Sequence, residues 1–120
     1  MQDLRRVLSA GTLAGDPVKN PTGERIGDVK EVMIDLPTGR VAYLVLSYGG
    51  FLGMGDKLFA VPWDVVTIDQ DDQAVVVDID KSELERAPGF DNEAWPDFSD
   101  ATWTKEIHEH YGVPYEWYLT

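Results

Sequence analysis

The sequence predicts a mainly β domain: a small, strongly curved antiparallel β-barrel with a short helical, aromatic-rich C-terminal extension. Three observations carry this. Five or six short β-prone runs fall between Val18 and Ile79, separated by Gly, Pro, Asn and Asp turns. The apolar alternation of one run slips by a residue, the mark of a bulge that lets a sheet curl. Eight of the 13 aromatic side chains lie after residue 89.

Taken in order, Asn20-Pro21-Thr22-Gly23 forms the first turn, with Pro21 fixing φ and Gly23 free to take a positive one. Ile26 to Leu36 is a strand whose apolar set runs Val29, then Val32, Ile34 and Leu36, placing the bulge near Lys30-Glu31. Leu36-Pro37-Thr38-Gly39 repeats the turn pattern. Arg40 to Tyr48 is almost wholly apolar, as a strand covered on both faces requires. The loop from Gly49 to Gly55 leads into strands at Lys57–Pro62 and Val65–Asp69, hinged by Pro62-Trp63-Asp64, and a polar turn at 69–73 precedes a strand at Ala74–Ile79.

Asp80 or Ser82 caps a short helix ending near Arg86, which Pro88-Gly89 stops. Asn92–Trp95 reads as one helical turn. Ser99 or Asp100 caps a longer helix reaching about Tyr111, closed by Gly112 and Pro114. The organisation expected is a barrel over 5–82 and an extension over 83–120, within one domain. The rings of that extension must be buried, either against the barrel in cis or against another chain.

Composition narrows the chemistry. The 120 residues hold no cysteine, which excludes disulfides, thiolate metal sites and a cysteine nucleophile. The net charge of −12 is shared equally between 1–80 and 81–120, and it disfavours phosphate backbones and anionic lipid surfaces. No signal-like apolar core stands near the N-terminus, and Val41–Leu46 is far shorter than the ~20 residues of a membrane span. A cytoplasmic location is the expectation.

The motif search yields no catalytic set. Gly50 and Gly55 have P-loop separation, but Asp56 stands where lysine is needed and a strand follows instead of a helix. Asp69, Asp71, Gln73 and Asp80 sit at calcium-loop spacing, yet Ala74 replaces the required glycine. His108 and His110, two apart on a helix, face different directions and read as dipole-favoured helix-end residues more than as metal ligands. Ser47 has no nucleophile-elbow context. The expectation is therefore not an enzyme, with no catalytic, cofactor or metal residues. Candidate protein-contact residues are Phe51, Leu52 and Met54 at the glycine-rich loop tip, with Trp103, Tyr115, Trp117 and Tyr118 in the extension.

Several segments agree in order with a known family. Leu8-Ser-Ala-Gly-Thr-Leu13, Gly15-Asp-Pro-Val18, Asn20-Pro-x-Gly23-Glu-x-Ile-Gly27, Ile34-Asp-x-x-Thr-Gly39-Arg-Val-Ala-Tyr43 and the run from Gly49 to Trp63 resemble the PRC-barrel domain, the cytoplasmic barrel of the photosynthetic reaction centre H subunit. The resemblance covers residues 5–82. It implies a curved antiparallel barrel used as a protein-docking module, with no catalytic residues to carry over, and its extension looks like that of stand-alone bacterial members.

The reading is a non-enzymatic interaction barrel whose partner is another protein, a second copy in a homodimer included. It involves no nucleic acid and no membrane span. Two alternatives are kept. One is a small-ligand or metal-binding regulator using the barrel end near Trp63 or the His108/His110 segment. The other, from family analogy alone, is an accessory protein of photosynthetic electron transfer.

Overall fold

The computed structural model describes residues 8–49, 56–69, 71 and 73–114. Among the described residues seven strands form one sheet: β1 (Pro17–Lys19), β2 (Arg25–Asp35), β3 (Arg40–Gly49), β4 (Asp56–Pro62), β5 (Val66–Asp69), β6 (Ala74–Val77) and β7 (Phe90–Asp91). The helices among these residues are α1 (Ala10–Leu13), α2 (Lys81–Arg86) and α3 (Ala101–Tyr111). A 3-10 turn at Trp63–Val65 follows β4. Among the described residues no helix is long and apolar enough to cross a membrane.

The strand order is β5-β6-β1-β2-β3-β4-β7, and β5 and β7 are left as edges. Among the described residues the sheet is thus not closed by hydrogen bonds. It is nonetheless curled, because β4 and β5 lie five strand positions apart but are joined only by the 3-10 turn. Five steps across a flat sheet would cover about 24 Å. The link from Pro62 to Val66 reaches at most about 14 Å. The Asp78 N–H donates to the Val65 carbonyl at 3.1 Å, tying the turn to the end of β6.

The expectation of an all-antiparallel barrel needs one correction: β1 pairs with β6 in parallel, Val18 opposite Val75. Parallel neighbours need a long crossover, and here β2 to β5 supply it. The bulge at Lys30 is present as a register shift between Val29 and Glu31, and a second shift lies between Met33 and Ile34. The first turn is locked by Asn20. Its side-chain oxygen accepts from the Glu24 N–H at 2.9 Å and the Thr22 hydroxyl at 2.7 Å, which accounts for a buried asparagine in a surface turn. At Gly27, φ is +152° and an added Cβ would lie 2.5 Å from the Ser47 carbonyl oxygen, so only glycine lets β3 approach this closely.

The curled sheet encloses the main core. Val18, Ile26, Val29, Leu44, Leu46, Phe59, Val61, Val75 and Val77 meet inside it, with Leu84 of α2 across one end. A second, smaller core covers the outer face of β3 and β4. There Ala42, Tyr43 and Ala60 pack with Ile107 of α3, and Met33, Phe90, Phe98, Trp103 and Tyr111 close around them. This explains the continuous apolar run of β3. Both of its faces are buried, one by the sheet's interior and one by the C-terminal extension.

The extension holds its place through ordinary helix chemistry. The Asp100 carboxylate accepts from the Thr102 and Trp103 N–H groups at 2.8 and 3.1 Å, as an N-cap should. Gly112 ends α3 at φ +68°, and the Val113 N–H donates back to the His108 carbonyl at 3.0 Å. Residues 92–95 form a turn, the Ala94 N–H donating to Asp91, instead of the helical turn expected. The two-residue β7 ahead of it borders Lys57 and Leu58 of β4. Neither β7 nor α1 was legible as an element, being too short to show a period.

Candidate interaction surface

Of the contact residues proposed from sequence, Trp103 is the one whose surroundings are described. It is half-buried in cis, its ring 5.3 Å from that of Tyr43 and 4.7 Å from that of Phe98. It is a packing residue of the second core. Phe51, Leu52 and Met54, like Tyr115, Trp117 and Tyr118, lie outside the described residues. Gly49 and Asp56 do pair across β3 and β4, so the glycine-rich loop joins a hairpin. Trp63 is half-buried against the main core.

His108 is a structural residue. It is 1 % exposed, its Nδ1 lies 3.0 Å from the Pro114 carbonyl and its Nε2 lies 3.0 Å from the Tyr43 hydroxyl. A carbonyl can only accept, so Nδ1 carries the proton and Nε2 accepts from Tyr43. Burial lowers the imidazole's pKa below its ordinary value, against weaker pulls upward from the Pro114 carbonyl, Asp64 and the Val113 backbone. His110 donates from Nε2 to the Glu83 carbonyl of α2 at 3.0 Å. The two imidazoles therefore point to separate partners, as their spacing implied. Among the described residues no group of three His, Cys, Asp or Glu side chains could hold a metal ion. Burial also pushes the Tyr111 hydroxyl's pKa up, and this group has no hydrogen-bond partner among the described residues.

The surface that stands out is the far end of the β2–β3 hairpin. Leu36 is 88 % exposed and Ile34 52 %, while every other large aliphatic of known burial is at least partly covered. Beside them a half-open groove of about 270 Å³ runs between the hairpin and the start of α3, lined by Met33, Leu36, Pro37, Tyr43 and Phe98 among others. Trp95, 36 % exposed, extends the apolar surface beyond Phe98, the two rings stacked at 6.3 Å.

This end is preorganised. The Asp35 carboxylate accepts from the Thr38 hydroxyl at 2.6 Å and from its N–H at 3.2 Å, and the Gly39 N–H closes on the Asp35 carbonyl at 2.8 Å. Leu36 and Pro37 are thus presented on a braced turn, with little ordering left to cost a partner. The shift between Met33 and Ile34 also matters. It makes Ala42 the extra residue of β3, so that Ala42 and Tyr43 both join the second core. The sequence held one signal for this site. Asp35 is the favoured first residue of this turn, and the apolar Leu36 behind it stands inside a turn where polar residues are usual.

No curated protein matches the chain. The family model described as PRC-barrel domain matches residues 6–84, from before α1 into α2. That span holds six of the seven strands and the main core, and it is about two thirds of the sequence. The chain belongs to the PRC-barrel domain family.

Proposed function

We propose that the chain is a non-enzymatic interaction module that docks a partner protein through the open end of its β2–β3 hairpin. One observation carries this reading: Ile34 at the end of β2 and Leu36 on the braced turn that follows stand exposed beside an apolar groove. Single exposed aliphatics are common, but two beside a preformed groove that continues into Phe98 and Trp95 make a contiguous apolar patch, the usual signature of a contact surface. Family membership supports the same reading, since these barrels often serve as interaction modules. The described rings of the aromatic extension pack over β3 and β4, and Phe98 among them lines the groove, so the extension contributes to this surface from its side.

The test is comparative capture from the native organism's extract with immobilised wild-type chain and with Leu36→Asp. Leu36 contributes almost nothing to the core, so the variant keeps its fold, which circular dichroism checks. A discrete protein retained by the wild type and lost by the variant is expected. Equal retention by both would remove the hairpin from the contact.

A further inference from the structure

The groove has a neighbour that restricts what can fill it. β1 spans only the first part of β2: the shared bonding ends where Val29 donates to Asp16 and accepts from Gly15, both at 2.9 Å. From Lys30 to Ile34 the outer edge of β2 has no backbone partner among the described residues. Five residues of open edge run about 17 Å, the length of an average strand. An extended segment could add there, and its alternate side chains would fall on the face where Met33 lines the groove.

Charge restricts the occupant further. Between Arg86 and Lys105 the sequence has four acidic residues, Asp91, Glu93, Asp97 and Asp100, and no basic one. All four are exposed, and in sequence they bracket Trp95 and Phe98, of which Phe98 lines the groove and Trp95 stacks on it. Asp35 sits on the opposite lip, with Arg40 as the basic residue paired across from it. A second copy would bring the same acidic rim and another net charge of −12, so like charges would face one another. A basic segment meets none of that repulsion.

We infer that the groove and the open edge of β2 together take an extended segment of a partner protein in which apolar residues alternate with lysine or arginine. The segment adds as a strand to Lys30–Ile34, inserts an apolar side chain beside Leu36 and Phe98, and sets its cations against Asp35, Glu93 and Asp97. This inference rests on the docking reading above and adds the partner's chemistry to it.

The experiment is a selection from a randomised display library of twelve-residue peptides on the full chain, with Leu36→Asp as counter-target. The enriched peptide is then synthesised and titrated. Alternating apolar and Lys/Arg sequences should dominate. Their affinity should fall at least about tenfold on Leu36→Asp and on the double variant Glu93→Lys/Asp97→Lys. It should also fall as salt rises from about 50 to 500 mM, and when alternate peptide nitrogens are methylated to block strand pairing. Enrichment of acidic or uncharged sequences, or binding indifferent to methylation, overturns the inference. So does a wild-type dimer by light scattering that Leu36→Asp makes monomeric, since a second copy is then the occupant. No enrichment, with capture from extract still lost in Leu36→Asp, refutes the partner chemistry and leaves the docking reading standing. No enrichment and no capture refutes both.

Discussion

Ile107→Ala tests whether α3 seals the outer face of the sheet. Ile107 is 0 % exposed and is the one fully buried aliphatic that the described extension contributes to the second core, facing Ala42, Tyr43 and Ala60. Isoleucine-to-alanine changes at such sites cost about 2–5 kcal/mol, the upper range applying where the surroundings cannot collapse. Two of the buried neighbours here are small alanines in rigid strands and cannot move in to fill the space. Against this, alanine returns roughly 0.4 kcal/mol of helix propensity. A net loss of about 3 kcal/mol is expected. For a chain of this size that lowers Tm by roughly 10–15 °C, read by thermal and urea unfolding with circular dichroism. Glu106→Ala, one residue away and exposed, should stay within about 0.5 kcal/mol of wild type. A loss below about 1 kcal/mol for Ile107→Ala would mean that the helix does not cover β3 and β4 as described.

Three further outcomes test the same region. Because the folded state holds His108 neutral, the unfolded chain binds the extra proton as pH falls below about 6.5, so stability should decline from there toward the lowered folded pKa and then level off. Urea midpoints between pH 7.5 and 5 should show that decline, and His108→Gln should lack it. Tyr111→Phe removes a buried hydroxyl without a hydrogen-bond partner and should leave stability unchanged or raise it by about 1 kcal/mol in urea unfolding; a loss above that would mean the hydroxyl is bonded. Asp100→Ala deletes both N-cap bonds of α3 and should cost about 1 kcal/mol in the same assay, with Asp100→Asn restoring most of it.

Local signals in the sequence recovered local structure. The turns at Asn20 and Leu36, the bulge at Lys30 and the cap and stop of α3 each depend on a few adjacent residues whose chemistry admits little else. The two-sided burial of β3 was also legible, because a continuous apolar run leaves no polar face for water. What covered the second face was not. Whether an aromatic extension folds back or docks on another chain depends on contacts between residues far apart, such as Tyr43 and His108, which no periodicity reveals. The parallel pairing of β1 with β6 escaped for the same reason: a three-residue strand carries too little pattern to choose a neighbour.

The exposed end of the β2–β3 hairpin was not legible in the strand pattern of the sequence. Ile34 and Leu36 continue the apolar alternation of Val32, which reads as a half-buried strand and carries no sign that the strand's end outruns its cover. In the structure both stand outside the two cores. Trp103 illustrates the converse. Its spacing on α3 suits either a core or a contact role, and Tyr43 opposite it decides for the core.

The central claim, docking through the hairpin end, is tested most directly by photo-cross-linking in the native organism. A photoreactive amino acid is placed at position 36 and, as a control, at the exposed position 85 on α2. Docking through the hairpin requires a discrete cross-linked protein from position 36 that is absent from position 85. The same adduct from both positions, or none from position 36, would contradict it.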